Sequence, residues 1–373
     1  WGADTNKFFY EDFLQLSSSP TSFNKIVLPI AIGIFVIWLF NWAVCYKGVK
    51  KGIEKTSKII LPMLFIIMFI IVIKGVTLEG AAKGLNVLFE PDWNAVKNPE
   101  IWISAYGQVF FSLSIGTGIM MTYSSYLPEK TDINNSAFMT AFANCGFEFL
   151  SAIGVFSILG AMATMQNVPV DEVVTSGIGL AFIAFPNVFT HMGIWGNILG
   201  VMFFVCLVFA GITSSVSLTE AISAAIGEKF DIPRKKVVTA ICVIGFVLSL
   251  AFATDAGLYL LDIMDNYINN YGIVCAGLLE AVIVGWYLKP KTVRDHVNEI
   301  SYFHIGSWWD VIIKYITPGM LIITVVQSVI KEFKTPYGGY DTLPLLLYGW
   351  LVIAIGIIGA HIISKFKWKS SDK

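Results

Sequence analysis

Residues 107–126 read GQVFFSLSIGTGIMMTYSSY. The stretch is apolar enough to lie in a membrane, yet its middle, Ser112 to Gly118, is S-L-S-I-G-T-G. Two serines, a threonine and two glycines bond to nearby backbone or relax a helix. A membrane segment that gives up helix at its midpoint must bury its open backbone in protein or around a ligand. The rest of the chain can be organised around this interruption.

Working outward, the 373 residues are 56% hydrophobic and 14% charged, against about 25% charged in soluble domains. Nine apolar spans follow, at 26–46, 59–76, 101–125, 137–166, 192–226, 237–253, 258–288, 311–330 and 343–364. Several exceed the roughly 20 residues needed to cross a bilayer, so tilt, kinks or protruding ends are expected. The fold class is therefore all-α, a polytopic helical membrane protein embedded in the lipid bilayer. A net charge of -1 argues against a nucleic-acid partner. The five cysteines all lie in apolar runs without metal-ligand spacing and read as small core hydrophobes. There is no nucleophile–base pair and no phosphate loop, which points away from an enzyme.

Lysine and arginine fix the orientation. One set of connections holds Lys47, Lys50, Lys51, Lys55, Lys58, Lys130, Lys229, Arg234, Lys235, Lys236, Lys289, Lys291, Arg294 and the tail from Lys365 to Lys373, seventeen in all against seven in the other set. The first set is expected in the cytoplasm. Residues 1–25 then lie outside and the C-terminus inside. The outside connection 165–191 is half apolar and is expected to pack down, as a lid over a vestibule or as a surface hairpin without a moving part. Between 289 and 310, Trp308 and Trp309 suit an interfacial aromatic belt, and two lone histidines there are a poor metal site.

Ionisable groups at membrane depth are costly and mark function. Glu148 follows Asn144 by four residues, so both project from one helical face. The pair offers oxygen ligands to a hard cation, a carboxylate that takes a proton, or a helix–helix hydrogen bond. Thr213, Ser214 and Ser215 could bind a monovalent cation, although A-G-x-T-S-S taken alone reads as close helix packing. Asp262 and Asp265 share a face near an outer helix end, as a gate or as exposed acids. Glu280 lies deeper and needs a partner. Glu228 and Lys229 end a helix on the cytoplasmic side.

Four features taken in order resemble the neurotransmitter:sodium symporter family, especially its bacterial amino-acid branch. They are G-Q-x-F-F-S-L-S-x-G-x-G at 107–118, N-x-x-x-E at 144–148, A-G-x-T-S-S at 210–215 and L-D-x-M-D at 261–265. The K-G-I-E-K stretch at 51–55 and the lid-like connection agree, and the resemblance covers essentially the whole chain. It implies a five-plus-five inverted-repeat fold, with one integral transporter domain. Residues 26–76 would be the remainder of the first repeat, 101–288 the second repeat and 311–364 two accessory helices. The broken helix looks like the family's sixth, so the first three helices are expected upstream of Trp1 in a longer protein.

The resemblance also implies roles. Ser112 and Asn144 look like ligands of a first sodium site, and Ala210, Thr213 and Ser214 like those of a second, each site only partly present. Phe111, Ser112, Ser114, Thr117, Ser214 and Leu218 look like the substrate side-chain pocket. Asp265 resembles the acid of an outer gate, and Tyr126 and Glu228 resemble inner-gate residues. A carboxylate at Glu148 resembles the chloride-independent members, because a sodium ion in a low-dielectric site needs a compensating anion, fixed or bound. Thr117 stands where bacterial leucine-type members often carry Phe, which leaves room for a larger, hydrophobic or aromatic amino acid. The expected function is sodium-coupled amino-acid symport across the plasma membrane by alternating access, probed against a proton-coupled permease, a non-transporting membrane scaffold and a channel.

Overall fold

The computed structural model describes residues 4–173 and 177–368. Trp1, the 174–176 part of the lid-like connection and the tail lysines Lys369 and Lys373 lie outside the described residues. The chain is built of helices: α1 (Leu28–Tyr46), α2 (Val49–Val76), α3 (Ala81–Phe89), α4 (Pro99–Ser112), α5 (Ile119–Ser124), α6 (Ile133–Gln166), α7 (Gly177–Thr190), α8 (Ile194–Phe230), α9 (Arg234–Ala253) and α10 (Gly257–Tyr287). They continue as α11 (Pro290–Ile300), α12 (Trp308–Gly339) and α13 (Thr342–Lys365). Among the described residues, eight of these are long and apolar enough to cross a membrane. The interrupted pair α4/α5 makes the ninth apolar span. The chain is thus a multi-pass helical membrane protein.

Helix α8 is the hub. It packs against α1, α2, α5, α7 and α9. One core cluster joins Cys45, Ile60, Val216 and Cys242 of α1, α2, α8 and α9. A second joins Ile71, Ile158, Phe189 and Phe203 of α2, α6, α7 and α8. The outward faces stay apolar, with Leu248 68% and Ile357 66% exposed; lipid is the solvent for such faces, so no burial is needed. On the other side α10 packs on α12 and α13, with Tyr267 and Tyr271 against Leu345.

Three connections differ from the sequence reading. The basic stretch Lys47–Lys58, read as a loop from its charge, is helical from Val49 onward, with 49–54 in wide turns. Gly48 reverses the chain at φ 86°, and Gly52 lies so close to α1 that a Cβ would sit 2.0 Å from the Val44 carbonyl. The 77–100 connection contains α3, whose Gly84 packs backbone to backbone on α6; a Cβ there would lie 1.8 Å from the Phe156 carbonyl. The 289–310 connection contains α11, which is tied to the start of α6. Asn134 Nδ2 donates to Asn298 Oδ1 at 3.1 Å and to the Phe303 carbonyl at 2.9 Å. The Tyr302 N–H donates to Asp132 Oδ2 at 2.9 Å. The Asn135 and Tyr302 amides hold the Asp132 carboxyl below the usual carboxylate range. In the lid-like connection, Val170–Val173 precedes α7, and α7 lies down on α8 through Phe185, Val188 and Phe189.

Candidate functional site

The helix of α4 ends at Ser112 and restarts at Ile119. Between them Ser114, Gly116 and Gly118 all take positive φ, at 55°, 78° and 74°. Left-handed residues at alternate positions cannot continue a right-handed ladder. Among the described residues the carbonyls of Leu113, Ile115, Gly116 and Thr117 accept no backbone hydrogen bond. Only the Ser114 carbonyl is taken locally, by the Thr117 hydroxyl at 2.7 Å. Carbonyls released at the middle of a membrane span need a polar partner within the protein or a cavity.

The break is seated on α10. A Cβ at Gly116 would lie 2.7 Å from the Ile273 carbonyl, and one at Gly277 would lie 2.4 Å from the Phe110 ring. Both positions therefore require glycine. The backbone amide of Gly116 lies near the Glu280 carboxylate of α10, which places that intramembrane acid beside the break. On the other side stands α6. Asn144 Nδ2 donates to Ser112 Oγ at 3.0 Å and to Glu148 Oε1 at 3.4 Å. Ser112, Asn144 and Glu148 thus form one half-buried oxygen-rich group at the lip of the break. Hydroxyl, amide and carboxylate oxygens beside open carbonyls suit a hard cation and not a thiophilic one.

On α8 the Thr213 hydroxyl donates to the Ala210 carbonyl at 2.8 Å. Ala210, Ser214 and Leu218 recur every fourth residue and are all exposed. They form one stripe of α8 that no described element covers. Helix α5 connects this helix to the break, because Tyr123 donates to Ser217 Oγ at 2.8 Å and Tyr126 donates to Glu220 Oε1 at 2.7 Å. Glu220 is fully buried. Arg234 binds it with both terminal nitrogens, Nη1 reaching Oε1 at 2.5 Å. The same guanidinium donates to the Cys45 carbonyl from Nε at 3.1 Å and from Nη2 at 2.9 Å. One ion pair therefore ties α5, α8, α9 and α1 together below the break. Tyr126 meets Glu220 here. Glu228, its expected companion, is exposed two turns farther along.

Above the break, a cavity of about 900 Å³ lies between α4, α10 and α12, lined by Gln108, Phe111, Asp265, Asn270, Gln327 and Lys331. Phe111 and Asp265 are thereby brought to one space. Asp265 accepts from Asn269 Nδ2 at 2.8 Å. Asp262 points elsewhere, accepting from the Tyr337 and Tyr340 hydroxyls at 2.9 Å each, and anchors the α12–α13 connection. Burial, with the bond to Asp262, pushes the Tyr340 phenol up. Thr117, Ser214 and Leu218 do not line that cavity.

The order of these parts is the one the sequence motifs set out. The sodium:neurotransmitter symporter family model matches residues 2–370. The chain belongs to that family. It is a family of sodium-coupled transporters, not of enzymes. The chain is 36% identical over 365 residues to an uncharacterised sodium-dependent transporter of Methanocaldococcus jannaschii, covering 98% of this chain and 74% of the relative. It is 29% identical to the sodium-dependent dopamine transporter of Caenorhabditis elegans, over 95% of this chain and 58% of that protein. It is 30% identical to the human sodium- and chloride-dependent neutral and basic amino acid transporter B(0+), over 95% of this chain and 56% of that protein. The chain thus spans little more than half the length of these two animal relatives.

Within the symporter frame, sequence reasoning missed the Glu220–Arg234 pair. Its signal was present as an acid ten residues before the end of a 37-residue apolar helix, with an arginine fourteen residues later. An acid in such a helix needs a cation, and Arg234 opens the next helix, α9.

Proposed function

We propose that this protein carries an amino acid across the plasma membrane by sodium-coupled symport, with residues 1–25 outside and the C-terminus in the cytoplasm. The observation that carries the reading is the break at 113–118, with uncommitted carbonyls beside Ser112, Asn144 and Glu148. Sodium enters as cargo. Ser112 and Asn144 hold one ion, and Ala210, Thr213 and Ser214 hold another. Phe111, Ser112, Ser114, Thr117, Ser214 and Leu218 face the substrate, which Thr117 leaves room to be hydrophobic or aromatic. Residues 26–76 and 101–288 belong to two inverted repeats, and 311–364 are accessory. Asp265 gates the outer cavity. Tyr126, with Glu220 and Arg234, closes the inner path, and Glu228 lies beyond them.

Glu148 supplies the negative charge that the first sodium ion requires in a low-dielectric site. Transport is therefore independent of chloride, and Glu148 takes a proton when the site empties. The test is uptake of labelled amino acids into proteoliposomes, with sodium replaced by potassium and chloride by gluconate. Uptake that requires sodium and ignores chloride supports the reading. Sodium-independent uptake refutes it, and strong chloride stimulation refutes the role of Glu148.

A further inference from the structure

The elbow between α1 and α2 holds a feature that the transport cycle does not use. A cleft of about 280 Å³ opens there, lined by Phe40, Lys47, Lys51, Lys55, Thr56 and Ile59. Its shape follows from two glycines. Gly48 reverses the chain at φ 86°, and Gly52 brings 49–54 against the end of α1, since any side chain there would strike the Val44 carbonyl. Lys51 and Lys55 then stand one helical turn apart on α2, with Lys47 beside them just past the end of α1. All three are exposed. Among the described residues none has a carboxylate partner, and the ion pair of this region is taken by Lys58 and Glu54 at 2.6 Å. Three ammonium groups held around one cleft without an anion repel one another.

The walls have a second character. Phe40 and the 54%-exposed Ile59 continue the apolar faces of two membrane-spanning helices into the cleft. Cationic rim and apolar wall meet at the end of the hydrocarbon layer, where lipid phosphates lie. We propose that this cleft binds an anionic phospholipid, its phosphate among Lys47, Lys51 and Lys55 and the Thr56 hydroxyl, and one acyl chain along Phe40 and Ile59. A soluble phosphate would satisfy the lysines but leave the apolar wall bare. The lipid bridges α1 to α2, two helices that pack on the hub α8.

Native mass spectrometry of the purified protein tests this, by titration in detergent with phosphatidylglycerol, phosphatidylcholine or inorganic phosphate. The titration presents lipid to both ends of every helix, so the result does not depend on the orientation or the transport reading given above. The variant is the triple Lys47→Gln, Lys51→Gln, Lys55→Gln. A triple Lys83→Gln, Lys97→Gln, Lys130→Gln removes the same charge elsewhere. Phosphatidylglycerol is expected to bind the wild type and the control alike. The cleft variant should weaken it roughly fivefold per lysine, about a hundredfold together. Monodispersity and thermal unfolding temperature, unchanged in the cleft variant, show that it folds. Equal phosphatidylglycerol binding by wild type and cleft variant overturns the proposal. So does phosphatidylcholine binding as tightly as phosphatidylglycerol, or inorganic phosphate displacing the lipid at comparable concentration.

Discussion

Replacing Arg234 with glutamine isolates what the buried pair contributes. Glu220 is fully buried and has two charged or hydroxylic partners, Arg234 and Tyr126. Without the guanidinium, the carboxylate keeps one donor, the Tyr126 hydroxyl, and the Cys45 carbonyl loses two. Stranding a buried charge costs about 3–5 kcal/mol. The Arg234 side chain is 31% exposed, so water can enter its space, and the lower end, about 3 kcal/mol, is expected. Glu220→Gln removes the charge but keeps an acceptor, and should cost less. Combining Glu220→Gln with Arg234→Gln removes both charges and should recover most of the loss. Glu228→Gln, on an exposed carboxylate, should change stability by no more than about 0.5 kcal/mol. The assay is thermal unfolding of the purified protein followed by tryptophan fluorescence. If the double variant unfolds no later than Arg234→Gln, the pair is not a coupled unit and the reasoning fails.

Glu280→Gln replaces the carboxylate beside the Gly116 amide with a neutral group, a loss of roughly 1 kcal/mol. Apparent sodium affinity in uptake should fall about fivefold by the same difference, and an unchanged sodium dependence would show that Glu280 does not shape the break. Gly84→Ala should destabilise by about 1–3 kcal/mol, because its Cβ meets the Phe156 carbonyl at 1.8 Å. Gly33→Ala, with nothing within 4 Å, should be neutral or stabilising, and equal unfolding temperatures for the two would contradict the α3–α6 contact. At Asp255, burial pushes the carboxyl up, but the Asn24 backbone and side-chain N–H groups outweigh it and hold the value low. That contribution is present above the ordinary carboxylate value and is lost as pH falls through the lowered one. Proteolysis of the 17–27 segment should therefore rise only below about pH 4, and Asn24→Ala should move the onset upward.

The broken helix was legible because S-L-S-I-G-T-G places helix-opening residues at the middle of an apolar run, and no tertiary contact is needed to see it. The Asn144–Glu148 pairing was legible from a spacing of four. The bond to Ser112 was not, because it spans 32 positions between separate helices. The α2 elbow was misread because charge resembles a loop when the chain bends at a glycine. Helix α3 was passed over because AAKGLNVLF is short, and its stability comes from close glycine contact with α6 rather than from a long apolar run. Glu228 takes its expected inner-gate role from resemblance. Glu220, two turns earlier on the same helix, is the acid that Tyr126 and Arg234 meet.

Helix α8 has a geometric consequence of its own. Its 37 residues make a rod about 55 Å long, against a hydrocarbon layer of about 30 Å. Its midpoint falls at Ile212, between Ala210 and Thr213. A tilt of two degrees about that point leaves those residues almost still while each tip sweeps about 1 Å. Glu220 rides about 12 Å out along one arm. A rod so arranged is a lever with its fulcrum between Ala210 and Thr213, and a two-degree rotation there moves Glu220 by only about 0.4 Å while the tips move about 1 Å.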